Sequence, residues 1–407
     1  MNLFEVDESV DLKTIHPKFN DLNTQFGYRG AKEIIASWGE DFHDKDNKAK
    51  TEFQTTFHST FWELYLHAVF KEMGFFTSQQ YDRPDFIIYK PVELYVEAVV
   101  SEISKDGAPE KLRTLEDVER NLYPISTREE FTYLIDEAIV RHSNSFFSKL
   151  KKYRGFEKKE KLIRGYIELD WVSPDKPYVI AICSYDQIGY GREFIYSMFA
   201  LLYGKYFDPL TKSYSNKSSI KKPGTDSDIK LGLFNDESCN DVSAIIFSNT
   251  LTLGKLASLH KSKNYSFDTI LNIRHFPDEP NFRLHEVTQE NPEILLDGLY
   301  VFHNPHASHP LDIQIFSKLA QFSSDAQGLY QQDNYPLIVS RYHTNFLPAA
   351  LVDQIKAETF ERFNPEYYAS ELKKLMRDRN KSNARDNSDS KKKRSRKIAK
   401  ASRKRNR

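Results

Sequence analysis

Apolar side chains become regularly spaced from Thr51, and the change marks the first strongly patterned region of the chain. Over TEFQTTFHSTFWELYLHAVFKEMGF, apolar groups fall at Phe53, Phe57, Phe61, Leu64 and Ala68, with a second set at Leu66, Val69 and Phe70. A helix apolar on most of its faces is a buried one, and Gly74 supplies its stop. A short extended segment near residues 75–78 follows, then DFIIY and ELYVEAVV, two strand-like runs separated by Lys90, Pro91 and Val92. Ser126 and Thr127 stand three residues before Glu129 and Glu130, a capping-box pattern that opens a long helix running to about Tyr153.

KPYVIAICS at 176–184 is a continuous apolar run of the kind found in strands buried on both faces, and GREFIYSMFALLYG at 191–204 predicts a buried helix. Residues 206–236 are polar and read as loops. A second αβ portion follows, with strands at VSAIIFS and TILNIRHF around a helix near LGKLASLHK. Residues 353–379 look helical and charged, and beyond Asn380 the chain has too little apolar surface to fold. The organisation expected is an N-terminal extension (1–50), an α/β core (51–205), an accessory α/β region (206–350), a helical segment (351–380) and a disordered basic tail (381–407).

Composition changes this picture little. A length of 407 residues suggests two or three compact units, and 14% aromatic residues with only 15 Gly can build a packed core. Cys183 and Cys239 lie far apart and outside any CxxC spacing, which argues against a disulfide scaffold or a zinc–thiolate site and for a reducing compartment. With no signal-peptide pattern and no long apolar run, the chain is expected to be cytoplasmic and free of membranes. Charge matters more. The formal net charge is zero, yet the stretch from Lys391 holds eleven Lys or Arg and no Asp or Glu, so the remainder carries −11. Such a tail could contact DNA phosphates nonspecifically; it could equally be a nuclear-localisation-like run, an RNA- or membrane-surface-binding tail, or solubilising charge.

The candidate chemistry lies in three acids. Eleven residues separate Asp85 from Glu97, enough for two strands and a tight connection. A hairpin centred on Pro91 sets Asp85 opposite Glu97, with Phe86, Ile88, Leu94, Val96, Ala98 and Val100 on the apolar face and the two acids on the other. Facing carboxylates repel unless a cation offsets them, and Mg²⁺ favours carboxylates with retained waters. Glu63, almost the sole charge in FWELYLHAVF, is the third anomaly, because an unpaired carboxylate is costly to bury there. Each residue alone has a bland reading: a rim glutamate, a strand-opening aspartate, an edge-strand glutamate facing water.

Together these pieces resemble the PD-(D/E)xK nuclease superfamily: a helix bearing Glu63, Pro84-Asp85 opening a strand, Glu97 on the next, and a helix, three strands, helix, strand order over about 51–185. The resemblance covers about a third of the chain and implies a restriction-endonuclease-like core. It also implies that Asp85 and Glu97 bind Mg²⁺ with help from the carbonyl of Ala98, that Glu63 assists through a water or second metal, and that an attacking water hydrolyses a phosphodiester. The family's lysine would fall at residue 99, which is Val99 here. In RHSNSFFSKLKKY, Arg141, Ser145 and Lys149 recur every four residues on one helical face, so Lys149 is the first candidate for a migrated cation, Arg141 the second, and Arg83, opposite Val99 in the assumed register, the third. The alternative is that Lys149 and Lys152 simply face solvent.

Histidines 303, 306 and 309 in HNPHASHP have metal-like spacing, but the prolines break any helix there and the bland reading, polar surface, is preferred. No nucleotide-hydrolysing motor motif is present. The expected function is a Mg²⁺-dependent endonuclease acting on DNA, in restriction or defence against foreign DNA, with RNA as a second substrate class and a homodimer as a possible assembly. The alternative is a catalytically inactive nucleic-acid-binding protein with a nuclease-like fold.

Overall fold

A computed structural model describes residues 1–376, except 7–9, 46, 79, 104–106, 186, 334 and 375. The chain is a mixed α/β protein organised on one eight-stranded mixed sheet. In chain order its strands are β1 (Phe76–Thr77), β2 (Phe86–Lys90), β3 (Leu94–Val100), β4 (Tyr178–Cys183), β5 (Ala244–Ser248), β6 (Tyr300–His303), β7 (Ala320–Asp325) and β8 (Gly328–Gln331), and they lie side by side in that same order. The centre, β3–β4–β5, is parallel, whereas β1–β2–β3, β5–β6 and β7–β8 pair antiparallel.

Helices cover both faces, which is why β4 and β5 are apolar without alternation. On one face, α1 (Pro17–Thr24), α2 (Arg29–Gly39), α3 (Ala49–Thr55) and α4 (His58–Glu72) pack with α8 (Leu253–Lys261) against Val96, Ala98, Val179 and Ala181. On the other, α6 (Arg128–Arg154) and α7 (Tyr196–Tyr203) pack against Tyr95, Ile180 and Ile182. The short α5 (Leu115–Glu119) and the C-terminal α9 (Ala349–Phe363) lie near a separate antiparallel sheet of Arg283–Glu286, Thr269–His275 and Leu337–Thr344.

The patterned helix from Thr51 is two helices. Phe57 takes a positive φ of 56° between them, its ring held between Phe53 and Phe61 at 5.1 and 5.3 Å. Burial of that ring stabilises a break that periodicity cannot register. Helix α6 begins at Arg128, with Thr127 accepting from the Glu130 N–H as its cap. The helix expected at 191–204 is shorter, Tyr196–Tyr203, because Glu193 is bound by Ser184 and Phe194 also adopts a positive φ. Residues 206–236, expected as loops, hold β-hairpins, Lys205–Asp208 with Ser213–Asn216 and Ser219–Lys221 with Asp228–Lys230.

The divisions expected at 50 and 205 do not part the core. Leu3, Phe19 and Ile35 share one apolar cluster with Phe61 and Val96, and β5 continues the sheet begun by β3 and β4. The expected basic tail lies outside the described residues. Among the described residues no helix is long and apolar enough to cross a membrane.

Candidate functional site

The β2–β3 hairpin has the register that a turn at Pro91 predicts: Phe86, Ile87 and Ile88 pair with Val96, Tyr95 and Leu94. Continued by one residue, it sets Asp85 against Glu97. Because the ladder stops at Phe86, the side chain of Asp85 takes the Ala98 N–H, Oδ2 accepting at 2.7 Å. The Asp85 N–H in turn points at Glu97 Oε2, 3.4 Å away. The two acids thus fix one another's backbone, and Lys45 Nζ donates to the Asp85 carbonyl at 2.8 Å.

Glu97 is 1% exposed and faces α6 with Tyr95 and Val99, opposite to the apolar residues of its strand. Its Oε1 collects three donors: Lys149 Nζ at 2.8 Å, Lys152 Nζ at 3.4 Å and the Tyr166 hydroxyl at 3.2 Å. Lys149 is held in place by its helix, since its carbonyl accepts from the Tyr178 hydroxyl on β4 and Tyr153, one turn on, stacks on Tyr178 at 4.1 Å. Burial opposes the charge of Lys149, but Glu97 and Asp85 hold its pKa above the ordinary lysine value.

Glu63 comes from α4 on the other face of the sheet. Trp62 anchors that helix by donating to the Ala181 carbonyl at 3.0 Å. Glu63, Asp85, Lys45, Glu52 and Asp82 line a cleft of about 270 Å³. Burial, then repulsion from Asp85, pushes the Glu63 carboxyl up to about 8. Burial, then Glu97, pushes Asp85 up to about 6, against the pull of Lys149 and the Ala98 N–H. Asp85 therefore links Glu63 to Glu97. Lys45 is lowered by burial, partly offset by Asp85 and Glu63. A closely set group of acids with cations too few or too far to relieve it is the electrostatic condition that a divalent cation answers.

Among the candidates, Asp85, Glu97 and Lys149 meet directly, and Glu63 joins them through the field of Asp85. Ala98, expected to offer its carbonyl, contacts Asp85 through its N–H. Arg141 and Ser145 follow the same face of α6 but reach the end of β3: Arg141 Nη1 points at the Ser101 carbonyl and Ser184, and Ser145 Oγ lies 3.3 Å from Ser101 Oγ. Arg83 pairs with Asp82. Pattern reading missed Tyr166, in a one-turn segment with no periodicity, and Lys45, whose HDKDNKAK context at 43–50 reads as an exposed loop or helix start.

Asp85 and Glu97 suit a hard, oxygen-seeking cation such as Mg²⁺, which takes one or two carboxylates and keeps several waters. Among the described residues no three His, Cys, Asp or Glu side chains stand together as a closed metal-holding group. The histidine-rich loop does not supply an alternative: His303 is buried, with Nε2 2.8 Å from Gln321 Oε1. In comparisons with family models, curated proteins and solved structures, the chain matches none.

Proposed function

We propose that this chain is a Mg²⁺-dependent endonuclease that hydrolyses phosphodiester bonds in DNA, with a restriction-endonuclease-like core comprising α4, β1–β3, α6 and β4. The observation that carries the proposal is Lys149 Nζ at 2.8 Å from Glu97, which the hairpin register, continued by one residue, sets against Asp85. An ammonium thus stands beside the two acids although residue 99, where the resembled family has its lysine, is valine.

In this scheme Asp85 and Glu97 hold the cation, and Glu63 accepts a hydrogen bond from water in the cleft. Mg²⁺, when bound, would acidify a water and offset charge growing on the phosphate. The Ala98 N–H fixes Asp85, while Lys152 and Tyr166 hold Glu97 and leave Lys149 free to exchange that carboxylate for a phosphate oxygen. Lys149 then stabilises charge on the phosphate or orients the attacking water.

One observation favours a second reading, a non-cleaving nucleic-acid-binding protein: the ammonium of Lys149 is already paired with Glu97. Incubation of supercoiled plasmid with the full chain and Mg²⁺ or Mn²⁺ separates the two. Nicking or linearisation that EDTA stops is expected; intact plasmid under both metals, with DNA still retained, would leave the second reading.

A further inference from the structure

A second cavity, of about 700 Å³, opens where β5 ends and α8 begins. Asn249 and Thr250 line it immediately after β5, and Thr252 and Gly254 line it at the start of α8. From the β-sheet register, Asn249 lies two strands across and about four residues along from Glu97, roughly 16 Å away, so this cavity is separate from the acidic cleft.

Asn249 is 1% exposed, and neither its Nδ2 nor its Oδ1 has a hydrogen-bond partner among the described residues. Asn121, also lining the cavity, gives its Nδ2 to the Arg341 carbonyl at 3.0 Å, but its Oδ1 has no such partner. Buried amides left unmade are costly and native proteins rarely keep them without a use. Here they present a donor and an acceptor side by side on Asn249, and a further acceptor on Asn121.

The charge of the walls is the second observation. Lys111 and Arg113 line the cavity beside Lys18, which pairs with Glu110 at 2.8 Å, and Arg341, which pairs with Glu293, so that Asp21 is the lining carboxylate left to set against Lys111 and Arg113. The first turn of α8 adds its dipole, and Thr252 at its N-cap makes no side-chain capping bond. The cavity is therefore suited to an anion at one part and to a neutral hydrogen-bonding edge at another. Tyr28 and Tyr190 supply aromatic surface, and Arg113 lies 3.8 Å over the Tyr190 ring.

We propose that this cavity binds a nucleotide, its phosphate among Lys18, Arg113 and the α8 N-terminus, and its base edge on the Asn249 amide. An asparagine amide forms two hydrogen bonds at once with a base edge offering an adjacent donor and acceptor, adenine being the common case. The nucleotide is either free or one unit of a strand. The proposal stands whether or not the acidic cleft cleaves DNA.

Calorimetric titration of the full chain with inorganic phosphate, the four nucleoside 5′-monophosphates and a single-stranded oligonucleotide tests it, alongside Asn249→Leu and Arg113→Gln. At least one monophosphate or the oligonucleotide is expected to bind tenfold or more tighter than phosphate, and Asn249→Leu to remove that advantage. Arg113→Gln should weaken phosphate and nucleotide alike. Asn249→Leu deletes an unpartnered amide, so its fold should persist, which a thermal melt checks. Tighter monophosphate binding identifies a free nucleotide, and tighter Asn249-dependent oligonucleotide binding identifies a strand; both support the proposal. Nucleotides binding no better than phosphate, or equally well to Asn249→Leu, would overturn it.

Discussion

Buried Glu293 and the Glu63–Asp85–Glu97 group, in which Glu97 is buried and the other two are half-buried, stand on opposite sides of a charge balance. Glu293 receives Lys255 at 2.8 Å, Asn272 at 2.8 Å and Ser258 at 2.5 Å, together with the Arg341 guanidinium. Burial opposes its charge, yet Arg341 and Lys255 hold its carboxyl well below the usual range. At the acidic cleft the same ingredients give the reverse. Glu97 takes both lysines, and Asp85 and Glu63 are raised to about 6 and about 8. A cluster whose cations and donors match its acids is complete without a ligand and ties β-structure to α8. A cluster that leaves acids uncompensated has a use for an added charge, which is why perturbed carboxyls gather at functional sites.

The contrast breaks first at Glu293. Glu293→Gln strands Lys255 and Arg341 in the interior, and loss of one partner from a buried pair costs about 3–5 kcal/mol. Urea unfolding with metal-independent readout should show that loss; a change under about 1 kcal/mol, within the range of an exposed pair, would mean the two clusters are not different in kind. Asp85→Asn should do the opposite, leaving metal-free stability unreduced while removing plasmid cleavage. Loss of an outer metal partner costs about 10–100-fold, so loss of a direct donor should exceed about 100-fold. Cleavage near the wild-type rate would remove Asp85 from the site.

Lys149→Ala comes next, with cleavage reduced by about 100-fold, the lower end of what one positioned proton-transfer group contributes. The Mg²⁺ concentration giving half-maximal rate should hardly move, because the lysine acts on water and phosphate. Lys149→Arg should restore the rate only in part, since a planar guanidinium differs from an ammonium in shape and proton chemistry. Adding Val99→Lys to Lys149→Ala returns an ammonium to the same face of β3 as Glu97, and some recovered rate is expected. No recovery, together with a shifted Mg²⁺ requirement, would reassign Lys149 to holding Glu97 alone.

The acid pair and its lysine were readable because each rests on a period. A two-residue alternation through FIIYK and LYVEAVV pins the Asp85–Glu97 register, and a four-residue spacing puts Lys149 on the α6 face that meets β3. What lacked a period was not readable. Tyr166 and Lys45 arrive from irregular segments, and their roles depend on chain paths that no local pattern encodes. The continuous sheet was also hidden, because short apolar runs such as YVFH carry no sign of which neighbour they join. Arg141 shows the limit of periodicity itself: eight residues before Lys149 on the same face, it reaches the end of β3 rather than the acids.

The smallest effect isolates Glu63. Its carboxyl binds a proton more readily in the folded protein than its ordinary value of 4.5 allows, rising to about 8 through burial and Asp85. A group with a raised folded pKa favours folding when protonated. Its contribution is therefore fully present below about pH 4.5 and is lost as pH rises towards 8, because the unfolded state then holds fewer protons than the folded one. Glu63→Gln keeps the shape and removes the titration. In EDTA, the variant should match the wild type near pH 5 and become more stable by about 1 kcal/mol near pH 8, a figure discounted for the solvent that reaches the cleft. Saturating Mg²⁺ should shrink the difference, since a nearby cation stabilises the ionised carboxylate. The observable is the melting temperature of both proteins across pH 5–8, with and without metal. A gap that stays constant with pH would show that Glu63 does not titrate in this range and that the acidic cleft is as well compensated as Glu293.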